Sequence, residues 1–167
     1  NYPIKVVALG GLDENGKNCY VIEVNNDAFV IECGIKYPNN RIPGVDLIIP
    51  DFTYLKEIQS RIRAIIITHA HDDQYGALPY LLNLVNAPVY ASQTTITYIK
   101  NKLEDKSRKI KSADFIPVLP SSDVVISGHK FHLFETTHSV AESFGFALET
   151  PLGNIVYTSD YISDYSA

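Results

Sequence analysis

Methionine is absent from all 167 residues, and cysteine appears only at positions 19 and 33. A chain that opens at Asn1 without an initiator and stops at Ala167, just past an apparent strand, reads as a piece of a longer protein. Cys19 and Cys33 stand on separate apolar stretches without Cys-x-x-Cys spacing. That argues against a disulfide or redox pair and for buried, reduced thiols in a cytoplasmic setting. No apolar run approaches the length of a membrane span, and nothing resembles a signal peptide. Positive charge is also short: 14 Lys and Arg against 19 Asp and Glu give a net charge of −5. This excludes a generally basic surface for gripping nucleic acid, but not an enzyme whose basic groove lies on another domain. Internal repeats, low-complexity tracts and linkers are missing too. What remains is a chain 46% hydrophobic and 20% charged, long enough for one core and too short for two ordinary domains.

Strand-like runs cover Ile4 to Leu9, Cys19 to Val24 and Ala28 to Glu32, the last two joined by Asn25-Asn26-Asp27 as a hairpin. Gly10, Gly11 and Gly16 leave Leu12 to Asn18 either a ligand-approaching loop or a plain turn. Gly34 to Pro50, rich in Pro, Asn and Gly, reads as a surface connection, with Asp51 or Thr53 capping a short helix through Ser60. Ala64 to Thr68 is a buried strand. Helices are expected over Ala77 to Val85 and Thr94 to Leu103, with a strand at Pro88 to Ala91 between them. Lys100 to Lys111 holds six basic and two acidic residues, and reads as a solvated helix end and loop in preference to an RNA-contacting patch. Five short strands follow: Phe115 to Leu119, Asp123 to Ile126, Lys130 to Phe134, Phe144 to Glu149 and Asn154 to Tyr157. The expected class is a layered α/β fold.

Chemistry concentrates in Thr68-His69-Ala70-His71-Asp72-Asp73-Gln74-Tyr75-Gly76, immediately after the buried strand. In a looped or extended backbone His69, His71 and Asp73 share one parity and can converge. Two neutral imidazoles and a carboxylate suit zinc or a similar first-row metal better than calcium or magnesium. The bland alternative is a polar surface loop with two ordinary histidines. His138 and Asp160 each follow a strand end and can join the cluster from a shared sheet edge, although either alone reads as a loop histidine or a turn aspartate. His129 and His132 sit within an alternating strand and read as structural.

The motif order resembles the metallo-β-lactamase fold, with His-x-His-x-Asp, a distant His and a distant Asp, each at a strand end. Further strings resemble the J-type ribonucleases of the β-CASP group: Ala8-Leu9-Gly10-Gly11-Leu12, Gly16-Lys17-Asn18, Gly44-Val45-Asp46-Leu47-Ile48-Ile49-Pro50-Asp51, Tyr75-Gly76-Ala77-Leu78-Pro79-Tyr80 and Thr137-His138-Ser139. The resemblance covers nearly the whole chain. It implies an αββα sandwich, here its N-terminal portion over residues 1–167, with a β-CASP domain inserted after about Tyr161. It also implies a two-metal centre, with zinc as the usual ion and manganese as another activating ion. His69, His71 and His138 would hold the first metal, Asp73 the second, and Asp160 both. Asp73 and Asp160 would be the catalytic carboxylates, with Glu32, in the place of the family's aspartate, and Ser139 as supports.

Gln74 departs from the pattern, standing where the motif has a histidine for the second metal. A neutral amide oxygen is a poor replacement for imidazole, so at most one tight metal is expected here. The function implied is metal-dependent hydrolysis of RNA phosphodiesters, impaired at the second site. The alternative is a catalytically weak paralogue that binds and supports an active J-type ribonuclease, as a homo-oligomer or hetero-oligomer away from membranes. A small-molecule metallohydrolase fits the ligands but not the surrounding strings.

Overall fold

A computed structural model describes residues 4–10, 18–35, 48–71, 75–104, 107–136 and 142–159, together with the backbone of 162–165. Two sheets lie face to face. The first has six strands in chain order: β1 (Ile4–Gly10), β2 (Cys19–Val24), β3 (Asp27–Ile31), β4 (Ile62–Ile66), β5 (Val89–Ala91) and β6 (Phe115–Pro117). Pairing is antiparallel from β1 to β3 and parallel from β3 to β6. The parallel steps need crossovers, and helices α1 (Thr53–Glu57), α2 (Leu78–Leu82), α3 (Gln93–Leu103) and α4 (Arg108–Ser112) provide them. The second sheet is antiparallel in the order β11 (Ile162–Tyr165), β10 (Gly153–Tyr157), β9 (Phe144–Thr150), β8 (His129–Glu135), β7 (Asp123–Ile126).

Strand parity sorts the apolar side chains into two clusters. Val21, Ala28, Val30, Ile65 and Ile67 face the helices, meeting Leu55, Leu78, Leu81, Ile96, Ile99 and Ile110. Their neighbours Ile22, Val24, Phe29, Ile31, Ala64 and Ile66 face the second sheet, meeting Phe131, Leu133, Phe144, Phe146, Leu148, Ile155 and Tyr157. Strands with both faces covered read as continuous β-branched runs, which is why Ala64 to Ile67 shows no alternation. The mixed α/β sandwich expected from the sequence is present, with its described helices on one side.

At one end the sandwich is tied by Asp27, which opens β3. Its carboxylate accepts from Arg63 Nε of β4 at 2.6 Å and lies 2.7 Å from His129 Nε2 of β8. Burial pushes the Asp27 carboxyl up, but the hydrogen bonds from His129 and Arg63 more than reverse this and hold it below the ordinary range. At the other end β9 and β10 approach too closely for a side chain at Gly145, where a Cβ would collide with the Tyr157 carbonyl oxygen and sit 2.7 Å from the Phe134 ring.

Several boundaries differ from the sequence expectation. The hairpin turn is only Asn25-Asn26, with Asn25 at φ 56°, because Asp27 already pairs with Val24. The strand before the His cluster begins at Ile62. Ser92 caps α3 by accepting from Thr95 N, so that helix starts at Gln93. The basic run contains α4, capped by Ser107 and anchored by buried Ile110. Beyond the five strands expected in the C-terminal half, β11 stands just before the last residues. Cys19 and Cys33 are buried free thiols, and burial raises both well above the ordinary thiol range.

The Asp27 carboxyl is deprotonated more easily in the folded chain than in the unfolded one. Its stabilisation is therefore complete above the ordinary carboxylate range and lost as pH falls through its lowered folded value. Asp27→Asn should lower stability at neutral pH and flatten the acid limb of a urea-midpoint profile below about pH 4. Gly145→Ala should destabilise by about 1–3 kcal/mol in the same assay.

Candidate metal centre

The site begins where β3 and β4 end together. Glu32 follows β3 at φ 66°, a left-handed conformation that costs a non-glycine residue about 1–3 kcal/mol unless its surroundings impose it. Here they do: Glu32 N donates to Ile66 O at 2.8 Å, and the side chain, with no solvent exposure, receives three hydrogen bonds. Thr68 N donates to Oε1 at 2.8 Å, Thr68 Oγ1 to Oε2 at 2.6 Å, and Tyr157 Oη to Oε2 at 3.0 Å. The Glu32 carboxylate is thus accommodated inside the fold.

Thr68 passes this anchor to the histidines. Its hydroxyl lies 3.0 Å from His69 Nδ1, and His69 is only 2% exposed. The His69 and His71 rings meet edge to face with centroids 5.1 Å apart. Tyr75 N closes the loop by donating to His71 O at 3.3 Å, and Ala77 N donates to Cys33 O at 2.8 Å.

Asp73, Gln74, His138, Ser139 and Asp160 lie outside the described residues, but described residues near His138 and just before Asp160 are tied to Thr68. Phe144 N donates to Thr68 O at 3.2 Å, and Ser159 Oγ donates to Phe144 O at 2.6 Å, immediately before Asp160. Thr136 N donates to Ser143 O at 3.1 Å, closing the stem of the His138 segment. Glu142, also on that stem, accepts from Thr94 N at the start of α3 at 3.0 Å, and this bonding to Thr94 holds its carboxyl below the ordinary range. Four segments distant in sequence therefore meet at one edge of the sandwich.

Among the described residues no group of three His, Cys, Asp or Glu side chains is placed to hold a metal. The two imidazoles are, however, the right donors for a zinc-type ion, and the orphaned buried hydroxyl of Thr136 lies two residues before His138. Of the residues expected to hold such an ion, His69 and His71 are the two that lie among the described residues. The histidines read as structural behave so: His129 binds Asp27, and His132 lies between Asp123 at 2.8 Å and Glu149 at 3.2 Å on the outer face of the second sheet. Sequence reading missed Thr68 and Tyr157. A hydroxyl directly before the first histidine was a usable signal for Thr68, whereas nothing local marks Tyr157.

This arrangement belongs to a known class. The metallo-beta-lactamase superfamily profile matches residues 12–165, and the chain belongs to that superfamily. A metallo-beta-lactamase fold protein from Bacillus subtilis superimposes with a TM-score of 0.64 at 16% identity, covering 93% of this chain and 62% of that one. Within the superfamily, the chain is 41% identical over 164 residues to Ribonuclease J 2 of Streptococcus pyogenes and 34% identical over 163 residues to Ribonuclease J 1 of the same organism. Each alignment takes in 98% of this chain but only 30% and 29% of the relative, so the chain spans about 30% of their length.

The Glu32 network predicts a graded loss of stability. Tyr157→Phe removes one hydrogen bond and should cost about 0.5–1.5 kcal/mol. Glu32→Ala strands two buried hydroxyls and a backbone N–H and should cost about 3 kcal/mol or more. Urea denaturation of the two variants checks the order.

Proposed function

We propose that this chain is the metal-binding part of an RNA phosphodiester hydrolase of the J type, acting in RNA processing or decay in the cytoplasm. One observation carries the reading. His69 and His71 are held together on a buried Glu32–Thr68 support, in a chain that aligns almost end to end with proteins named Ribonuclease J. In this reading His69, His71 and His138 hold the first metal, Asp160 joins both sites, and Asp73 serves the second. Zinc suits the imidazoles best, and manganese fits a more oxygen-rich second site. A β-CASP segment inserted after about Tyr161 supplies the surface that grips RNA, consistent with the net charge of −5 on this part.

When bound, the metal supplies Lewis acidity and lowers the pKa of attacking water. The chain's own residues do the rest. Asp73 and Asp160 orient the water and accept its proton as it adds to phosphorus and the P–O bond to the leaving ribose oxygen breaks. Glu32 and Thr68 keep His69 in place through the reaction, since loosening such supports typically costs about 10 to 100-fold in metal affinity or activity. Glu32 has no solvent exposure, and Tyr157, which donates to it, is itself buried in the cluster that contains Phe144.

Gln74 favours a second reading, in which the chain is a catalytically weak paralogous subunit that binds and stabilises an active J-type ribonuclease.

In the full-length chain, Gln74→His should raise bound metal from one equivalent toward two and increase RNA hydrolysis by at least about tenfold. Metal analysis after dialysis and turnover of a labelled RNA read the result. Unchanged stoichiometry and rate would refute the argument from the lost ligand. Co-purification with an active paralogue, without intrinsic turnover, would establish the second reading.

A further inference from the structure

We infer that Thr68 is a positioning residue that fixes the tautomer of His69, presenting Nε2 rather than Nδ1 as the nitrogen available to a metal. The inference deepens the proposed metal site and rests on that reading only for its purpose. It comes from counting protons. Glu32 Oε2 receives hydrogen bonds from both Thr68 Oγ1 at 2.6 Å and Tyr157 Oη at 3.0 Å, while Oε1 receives Thr68 N at 2.8 Å. A carboxyl facing three donors is an acceptor throughout, so the single hydroxyl proton of Thr68 is committed to it. The same hydroxyl oxygen lies 3.0 Å from His69 Nδ1. With its proton spent, that oxygen can only accept, and Nδ1 must carry the ring proton. The neutral ring then has its lone pair on Nε2.

The carboxylate therefore acts on the imidazole through one intervening hydroxyl. The arrangement serves the purpose of a direct carboxylate–histidine contact, orienting the ring and selecting its donor nitrogen. It also explains why the buried charge is held so firmly: a displaced Glu32 would free the Thr68 proton to point at Nδ1 and favour the wrong tautomer.

Long-range proton–nitrogen correlation spectra of isotope-labelled histidine, recorded on the metal-free full-length chain above the imidazole range, distinguish the two tautomers. The His69 signal is assigned by its loss in His69→Gln. Wild type and Thr68→Ser should show His69 protonated at Nδ1. Thr68→Val, similar in volume but lacking the hydroxyl, should show a mixture, with zinc affinity lower by about tenfold or more. Glu32→Gln provides a second test if the valine variant fails to fold, because an amide can donate to Thr68 Oγ1 and release its proton toward Nδ1. That variant should shift His69 toward protonation at Nε2. A wild-type His69 protonated at Nε2 would overturn the inference. So would a folded valine variant with both the pure Nδ1 pattern and wild-type zinc affinity. The tautomer is read before any metal is added, so a chain that shows the relay yet cleaves no RNA would refute the hydrolase reading and leave the relay standing.

Discussion

A carboxylate with no access to water is the constraint on which the rest of the molecule depends. Moving an unpaired charge into an apolar interior costs far more than a domain's whole stability margin, so Glu32 is tolerable only when its partners are in place. Those partners come from the backbone and side chain of Thr68 beyond β4 and from Tyr157 at the end of β10. The first sheet, the second sheet and the entry to the histidine loop must therefore assemble together. Folding and site geometry become one event, and the strained φ of Glu32 is maintained because nothing can relax without stranding the charge.

Asp27 plays the matching part at the opposite end of β3, joined to Arg63 and His129. Between the two acidic residues the strand is entirely apolar, with Phe29 and Ile31 turned to the second sheet and Ala28 and Val30 to the helices. Hydrophobic burial drives the layers together but is indifferent to exact alignment. A slip of one residue would turn Phe29 and Ile31 to the wrong face and pull both carboxylates away from their donors at once. The polar ends thus select the register that the apolar middle makes favourable.

How much of this was readable in advance follows from the range of each interaction. Local signals were legible: the Asn25-Asn26 turn, the β-branched run before His69, and the apolar spacing of α2 and α3. Helix α4 was hidden because Ile110 is its only buried residue, so six basic neighbours drowned a one-residue amphipathic signal. A candidate site was legible as a chemical preference, because two imidazoles stand so close to two carboxylates in the sequence. Their support was not, because Tyr157 reaches Glu32 across 125 positions and looks like any strand tyrosine. Glu32 itself was recognised only through family likeness. Its burial and its left-handed backbone depend on partners that no window around residue 32 contains.

The same division of labour bears on Gln74. The described hydrogen bonds that hold His69 come from β3, β4 and β10 and run through Glu32, Thr68 and Tyr157. They stabilise the fold whether or not a second metal is ever bound. None of these bonds involves position 74, so in the proposed metal site a substitution there leaves them in place. Glu32 is different, since losing it damages the core as well as the site. In the proposed function, such a chain loses its second metal in one step and keeps the Glu32–Thr68–His69 support. The support for His69 is thus a property of the fold, independent of the side chain proposed to serve a second metal.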